Sequence, residues 1–414
     1  MTENKIVQKK KLLRHHQAII LNLIRKRSPL SRTDIYKTTK IRITTVTDIV
    51  KELIEKGLVV EVGSAVSTGG RKPVLLAINP TAGYIVGVDV RATVIRGVLT
   101  DLKSQIIAQQ HQDITHQTSG ETILEDTKEV IRGLLQSTPD RKKLFGIGIS
   151  IAAMIDSEKG EVVYSANIPG WTNLPIKQLL EQEFQTPVYL EATVRAAALG
   201  ERAFGCGQGV DDLIYYHIGM GIGAGIISHG KLYRGAKESA GEIGHTVIDE
   251  FGPACRCGNF GCLEAFASAK AIRDHAIAAL EKGVESILLT VAENKVANIT
   301  AETVSLAAGK GDKLCRRILQ EAGAHLGIGA ANLVNILNPA LLIVGGGLAK
   351  AGDFILEPLV RTLQERSLAV SAKAVTVVTS MLGDNAAPLG ATTLVLKRVF
   401  AIPELPAPPE IELF

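Results

Sequence analysis

Cysteine and aromatic residues are scarce in this chain, with five cysteines among 414 residues and an aromatic content of 4%. So few cysteines do not make a disulfide scaffold in a chain of this length, and the polar residues 1–8 do not resemble a secretory signal. No apolar run approaches the ~20 residues that a membrane-spanning helix needs. We therefore expect a cytoplasmic protein with no membrane segment.

Glycine and aliphatic residues are abundant instead. The chain has 40 glycines, and hydrophobic residues make up 46% of it. This composition is typical of an α/β protein with many tight turns between strands and loops. The length predicts two or three domains, each large enough to bury a core.

Three of the five cysteines fall within eight residues, at Cys255, Cys257 and Cys262, and His245 lies ten positions before the first of them. Three thiolates and one imidazole make up a closed tetrahedral Zn²⁺ shell, and the intervening glycines let the backbone fold tightly around a metal. The alternative is a disulfide pair with one spare thiol. We expect structural zinc bound by these four residues.

Charge is distributed unevenly along the chain. Residues 1–80 hold 16 Lys/Arg against 6 Asp/Glu, whereas the remainder holds 30 against 36. A basic head on a mildly acidic body is expected when only the head contacts nucleic acid. The alternative is a basic face that is merely solvated.

The pattern of the head favours nucleic acid. Apolar residues at helical spacing predict a helix over residues 17–27, and Ser31 with Asp34 resembles a capping box at the start of a second helix. A third helix ends at Gly57, and residues 58–62 and 73–78 read as two strands. Three helices and a hairpin make a winged helix-turn-helix, whose third helix would enter the major groove of double-stranded DNA.

Candidate DNA contacts follow from this arrangement. Threonines and a lysine on the polar face of the third helix can contact phosphates or thymine methyl groups, and a basic Gly-Gly-Arg-Lys arm between the strands suits a narrow minor groove. The predicted DNA-contacting residues are Thr44, Thr45, Thr47, Lys51, Arg71 and Lys72.

From residue 84 onward strands alternate with helices, with glycine-rich turns at 219–225 and 345–347. Gly241-Glu242-Ile243-Gly244-His245, followed by the cysteine cluster and Glu264, resembles the ROK family (repressors, open reading frames and sugar kinases). The likeness covers about residues 15–398. It implies an α/β fold with an actin-like ATPase body, two lobes around a cleft, and a head like that of the family's transcriptional repressors.

The resemblance also implies a division of the chain. We expect the winged helix-turn-helix in residues 1–80 and a first α/β lobe in residues 81–195, completed by residues 384–400. A second lobe with the zinc loop would span residues 196–383. The Pro-rich tail, residues 401–414, is expected to be disordered.

This chain departs from the family's kinase motifs. Arg91 and Ala92 stand where the first phosphate loop has glycines, Met220 replaces a threonine of the second, and residues 152–153 are alanines instead of Pro-Gly. Thr193 occupies the position of the catalytic aspartate, and a neutral hydroxyl cannot act as a general base near neutral pH. We therefore expect no kinase activity and no ATP binding.

Other family sugar contacts remain, at Asn167, Glu242, His245 and Glu264. The resemblance implies that they bind a sugar or sugar-derivative effector. The alternative is that Glu242 and Glu264 only brace the zinc loop.

The sequence thus predicts a DNA-binding regulator, a repressor of carbohydrate-use genes that acts as a homodimer or tetramer. Two alternatives stay open. One is an active ATP-dependent sugar kinase that also binds DNA, and the other is a DNA-binding scaffold controlled by a protein partner.

Overall fold

A computed structural model describes residues 2–64, 72–115 and 118–402, with side chains from residue 12 onward. Arg71 and residues 403–414 of the predicted tail lie outside the described residues. Within them, no helix is both long enough and apolar enough to cross a membrane.

The head has three helices and a small sheet. Its elements are α1 (Thr2–Arg27), β1 (Leu30–Ser31), α2 (Arg32–Thr39), α3 (Ile43–Glu55), β2 (Val59–Ser64) and β3 (Val74–Ile78). The sheet order is β1-β3-β2, and both pairings are antiparallel. The predicted capping box is confirmed, because the Asp34 amide donates to the Ser31 hydroxyl at 3.2 Å and the Ser31 amide donates to the Asp34 carboxylate at 3.0 Å.

The start predicted for the first helix is wrong, since α1 begins at Thr2 and not at residue 17. Residues 2–16 hold four lysines and two leucines, which favour helix by propensity. They have no continuous apolar stripe, so hydrophobic periodicity does not detect them.

The first lobe is built on a five-stranded sheet of order β11-β7-β4-β5-β6, with a small second sheet of order β10-β9-β8 beside it. Its elements are β4 (Tyr84–Val90), β5 (Val94–Asp101), β6 (Ile106–Asp113), α4 (Gly120–Gln136), β7 (Leu144–Ile151), β8 (Met154–Asp156), β9 (Glu161–Tyr164), β10 (Thr172–Leu174), α5 (Ile176–Phe184) and β11 (Val188–Ala192). The central strands β4 and β7 are nearly continuous apolar runs, as expected for strands covered on both faces.

The second lobe is built on a sheet of order β14-β13-β12-β15-β16. Its elements up to the zinc-loop region are α6 (Thr193–Phe204), β12 (Leu213–Ile218), β13 (Ile222–Ser228) and β14 (Lys231–Tyr233). Those that follow are α7 (Leu263–Ala267), α8 (Ala269–Glu281), α9 (Leu288–Val291), α10 (Ala301–Gly309), α11 (Lys313–Leu337), β15 (Leu341–Gly345), α12 (Asp353–Arg366), α13 (Ala369–Ala374), β16 (Thr376–Thr379) and α14 (Ala386–Val399).

Two helices join the lobes. Helix α14 packs on β4 and β7 of the first lobe, α6 packs on β12 and β13 of the second, and the two helices pack closely on each other. Small residues allow this contact, since a Cβ atom built on Gly390 would lie 1.7 Å from the carbonyl oxygen of Ala196. A change in the angle between the lobes must therefore act on the α6–α14 contact.

The head docks on the end of α14. Ile20 and Ile24 of α1 belong to the same buried cluster as Leu396 and Phe400. The Asn22 amide group donates to the carbonyl oxygen of Phe400 at 2.6 Å, so the head and the helix between the lobes are in direct contact.

Candidate DNA face, metal cluster and cleft

The polar face of α3 is open to solvent. Thr44, Thr47 and Lys51 are exposed, and Thr45 is partly exposed, whereas Val46 and Ile49 point into the core of the head. The Thr47 hydroxyl donates to the carbonyl oxygen of Ile43 at 2.8 Å, which leaves its lone pairs available. Lys51 lies 3.9 Å from Glu55, a loose surface ion pair that a phosphate could replace at little cost.

Two further observations concern the same face. Arg42, which the pattern of the third helix did not single out, is exposed at the residue before α3. A basic residue at the amino end of a recognition helix lies where the helix approaches DNA. Lys72 is exposed next to β3, and Arg71 is outside the described residues.

The predicted metal ligands lie together. One nitrogen of His245 and the sulfur atoms of Cys255, Cys257 and Cys262 all lie within 4.8 Å of one another. The Cys257 and Cys262 sulfurs are 3.7 Å apart, and the Cys255 sulfur is 3.7 Å from Nδ1 of His245. Tetrahedral zinc with bonds of about 2.3 Å places its sulfur ligands roughly 3.8 Å apart, so the four residues fit such an ion.

All five cysteines carry free thiols, so the disulfide of the alternative interpretation is not formed in this structure. The two closest thiols differ in their acidity. A backbone N–H from Asn259 lowers the pKa of Cys257 to about 7, while burial raises the pKa of Cys262 to about 12. A bound cation would favour the thiolate at both positions.

The loop around these thiols closes on itself by backbone contacts. Val247 pairs with Cys262, and Ala254 pairs with Phe260, in two isolated antiparallel bridges. Gly261 has φ +69°, and a Cβ atom there would lie 1.6 Å from the carbonyl oxygen of Asp249. Only glycine fits this turn, which brings Cys262 back beside His245.

Glu242, His245 and Glu264 lie near one another, where the family resemblance implies one end of a cleft between the lobes. The Glu242 side chain is exposed, but partial desolvation raises its pKa, and His245 opposes this rise while Glu264 adds to it. Glu264 accepts the backbone N–H of Ile222 at 3.0 Å through one carboxylate oxygen. We call this region the sugar end.

Asn167 approaches the same region from the first lobe. Its loop is anchored by Trp171, which is 3% exposed and donates from its indole nitrogen to the carbonyl oxygen of Gly120 at 2.9 Å. The Asn167 side-chain oxygen accepts from Arg256 of the zinc loop at 3.4 Å. Asn167 therefore lies against the metal cluster's loop.

The other end of the cleft, where the resemblance implies phosphate binding, is filled by side chains. We call it the phosphate end. One oxygen of buried Asp89 accepts from the hydroxyls of Ser150 and Thr193, both at 2.7 Å, and the other accepts from Arg91 at 2.6 Å. Thr193, predicted to replace a general base, is thus a hydrogen-bond donor in this structure.

His217 also occupies the phosphate end. A Cβ atom on Gly219 would lie 3.1 Å from its Nε2, and one on Gly346 would lie 2.9 Å from its Cε1, so the ring lies between the two glycine turns. Burial and the nearby Arg91 together lower the pKa of His217 to about 3, with Asp89 opposing them, so the ring is neutral. A lone histidine in a strand gave no sequence signal for this role.

Comparisons with known proteins agree with this architecture. The ROK family profile matches residues 85–398. The chain is 36% identical over 390 residues to the xylose repressor of Caldicellulosiruptor bescii, covering 94% of this chain and 97% of that protein. A solved ROK family transcriptional regulator, a homologue of the Escherichia coli MLC protein, is 28% identical with a TM-score of 0.80, over 95% of this chain and 98% of that one.

A kinase is also similar, over a smaller share of the chain. The ROK family glucokinase of Streptomyces griseus, solved with glucose and AMPPNP, is 30% identical with a TM-score of 0.67. It covers 75% of this chain and 99% of its own. The regulator matches nearly the whole chain, whereas the kinase leaves a quarter unmatched.

Proposed function

Because this chain belongs to the ROK family, we propose that it is a sugar-responsive DNA-binding repressor of carbohydrate-use genes whose body binds its effector without phosphorylating it. The observation that carries the second half of this proposal is the state of Asp89. Both oxygens of its carboxylate accept hydrogen bonds, from Arg91 on one side and from Ser150 and Thr193 on the other. That carboxylate is therefore not free for a cation, and no carboxylate stands at position 193 to accept a proton.

The head would read DNA through α3. Thr44, Thr45 and Thr47 would contact base edges and phosphates, with Lys51 and Arg42 on the flanking phosphates. Arg71 and Lys72 would enter the adjoining minor groove. Winged helices of this kind read two half-sites about 34–36 Å apart, which requires a dimer or a tetramer.

The metal would be zinc with a structural role. His245, Cys255, Cys257 and Cys262 supply the usual donor set of a closed site, and their spacing supports four-coordinate binding. Zinc there would fix the loop whose two ends carry Glu242 and Glu264. The metal would thus shape the effector pocket without touching the effector.

The effector would be a neutral sugar of the xylose class, bound at the sugar end by Asn167, Glu242, His245 and Glu264. The name of the C. bescii relative points to xylose for that protein, and the open carboxylates at the sugar end suit sugar hydroxyl donors. Effector binding and DNA binding would favour different lobe angles and so oppose each other.

The test has three measurements on the full-length protein. A duplex selected from a random pool should bind with a strong salt dependence, and D-xylose should release it. Lys51→Ala should weaken binding to all duplexes, whereas Lys56→Ala, at the residue that follows the same helix and pairs with Glu52, should not. A coupled assay should detect no ADP release with D-xylose, glucose or N-acetylglucosamine.

Each rival predicts a different result. ADP formation with any of these sugars would support the kinase alternative. Duplex binding that no sugar changes would favour control by a protein partner. Failure to select any duplex would contradict the repressor itself.

A further inference from the structure

A chain of buried and partly buried charged side chains links the two lobes beside the sugar end. Glu191 is fully buried, Arg195 is 4% exposed, and both belong to the β11–α6 junction. The Arg195 side chain donates to Glu191 at 2.6 Å, and Arg234 donates to the other oxygen of Glu191. Glu238 supplies a second carboxylate, so the two positive charges of Arg195 and Arg234 balance the two negative charges of Glu191 and Glu238.

Glu238 is the residue on which this chain of charges meets the first lobe. Its carboxylate accepts from Arg195 at 3.1 Å, and its backbone carbonyl accepts a second Arg195 donor. The same carboxylate accepts the hydroxyl of Ser157 at 2.5 Å and the Ser157 amide at 3.3 Å. Ser157 lies between β8 and β9 in the small sheet of the first lobe. We call these five residues (Ser157, Glu191, Arg195, Arg234 and Glu238) the interlobe network.

The loop that carries Glu238 also carries Glu242. The loop is closed at its base, where the Ala240 amide donates to the carbonyl oxygen of Arg234 at 3.0 Å. Gly241 then packs against β13, since a Cβ atom there would lie 1.9 Å from the carbonyl oxygen of Ala224. Glu242 follows directly, so the position of its carboxylate depends on how this loop is held.

The backbone conformation of Glu238 indicates that this residue is held in a fixed position. Its φ of +56° is a left-handed conformation that a non-glycine residue adopts at some cost. The contacts of its side chain and carbonyl group with Arg195 and Ser157 offset that cost. The long Arg195 side chain reaches both Glu191 and Glu238.

We propose that Glu238 and Arg195 are positioning residues of the effector pocket, which tie the Glu242 loop to the first lobe through Ser157 and so make effector affinity depend on the angle between the lobes. This inference rests on the proposed function for the identity of the ligand. The tie between the lobes can be measured without any ligand.

The first experiment uses hydrogen exchange on the full-length zinc-loaded protein without sugar or DNA. Glu238→Ala should speed exchange of the Ser157 amide and its neighbours in residues 154–164 by about tenfold or more, because that amide loses its acceptor. Ser157→Ala removes one hydroxyl and leaves no buried charge unpaired, and it should give a smaller increase in residues 234–242. Lys237→Ala and Ser239→Ala, both exposed in the same loop, are the matched controls.

The second experiment measures D-xylose binding by calorimetry and D-xylose release of the selected duplex. Both Glu238→Ala and Ser157→Ala should raise the Kd and the release midpoint together, by about fivefold or more for Glu238→Ala. Zinc content and unliganded duplex binding are measured in parallel, so that a misfolded variant is recognised. Ser157→Ala keeps the test decisive if Glu238→Ala does not fold.

The outcomes separate the two proposals. Unchanged exchange in both variants would overturn the interlobe tie, whatever the ligand is. Faster exchange with an unchanged D-xylose Kd would overturn the positioning role. If the unmodified protein binds no D-xylose, the xylose part of the proposed function fails, and exchange alone then decides the tie.

Discussion

The phosphate end and the sugar end differ in what their charged side chains contact. At the phosphate end, Arg91, Thr193 and Ser150 surround Asp89, and His217 fills the space between the glycine turns. At the sugar end, Glu242 remains open and Glu264 has committed one of its oxygens to a backbone amide. One end is closed by its own side chains, and the other keeps groups that can bind a ligand.

This difference has a physical explanation. A buried carboxylate needs hydrogen-bond donors or cationic partners, because an unpaired buried charge costs several kcal/mol. Arg91 and Thr193 both donate to Asp89, so these two residues act on the same carboxylate. At the sugar end Glu242 is exposed and Glu264 is partly buried with one oxygen bound to a backbone amide, so neither carboxylate needs such a set of buried donors.

The largest effect should come from the metal cluster, which belongs to the sugar end alone. Cys257→Ser should lose zinc and reduce the free energy of unfolding by about 3–5 kcal/mol, because metal binding contributes to folding. Hydrogen exchange should rise in residues 242–264 and stay unchanged in residues 84–93. Zinc content and chemical denaturation measure this, with exposed Glu250→Gln in the same loop as control. An equal rise of hydrogen exchange in residues 242–264 and 84–93 would contradict the separation of the two ends.

The next effect concerns the phosphate end. Thr193 contacts Asp89, although the two lie 104 residues apart in sequence. Thr193→Asp should therefore place a second carboxylate beside Asp89, and two buried carboxylates repel each other. We expect a loss of about 3 kcal/mol in unfolding free energy and no kinase turnover. Thr193→Val, which removes only the hydroxyl, should cost about 1 kcal/mol.

Denaturant unfolding and the coupled ADP assay test this pair of variants. Turnover in Thr193→Asp at unchanged stability would mean that Asp89 is free to serve catalysis. That result would contradict the closed phosphate end.

Local patterns in the sequence predicted much of this molecule. The ROK family assignment and the α/β fold with a winged-helix head are confirmed. The capping box at Ser31 is confirmed as well. Helix periodicity and caps could be predicted because they depend on neighbours within a few residues. The metal residues are brought together as their spacing suggested. The effector and DNA contacts remain predictions.

What the sequence could not give are pairings between distant positions. Two of the three partners of Asp89, Ser150 and Thr193, lie 61 and 104 residues away, and Ser157 lies 81 residues from Glu238. Each of these side chains alone is an ordinary polar residue. Motif comparison singled out Thr193 as standing in the place of an aspartate, which stays a prediction, but it did not indicate that Thr193 would donate to Asp89.

A moderate effect is expected at the sugar end. Glu264→Ala should weaken D-xylose binding by about tenfold to a hundredfold, since it removes an acceptor and frees the Ile222 amide. Glu264→Gln keeps an acceptor for that amide and removes the charge, so it separates a bracing role from a ligand contact. Calorimetry with zinc analysis decides between them. Weaker binding in Glu264→Ala with unchanged affinity in Glu264→Gln would assign Glu264 to bracing alone, and unchanged affinity in both variants would remove Glu264 from the effector site.

The smallest effect should come from the surface of the phosphate end. Asp384 forms ion pairs with Lys350 at 3.0 Å and Arg96 at 3.4 Å, and its side chain is 45% exposed. Exposed pairs of this kind contribute about 0–1 kcal/mol, so Asp384→Asn should barely change the unfolding free energy and should leave D-xylose affinity unaltered. Asp89→Asn, at a side chain 1% exposed that pairs with Arg91, should cost several times more. Denaturant unfolding of the two variants side by side measures the difference. If the two losses were equal, the phosphate end would be held by its surface ion pairs and not by the buried set around Asp89.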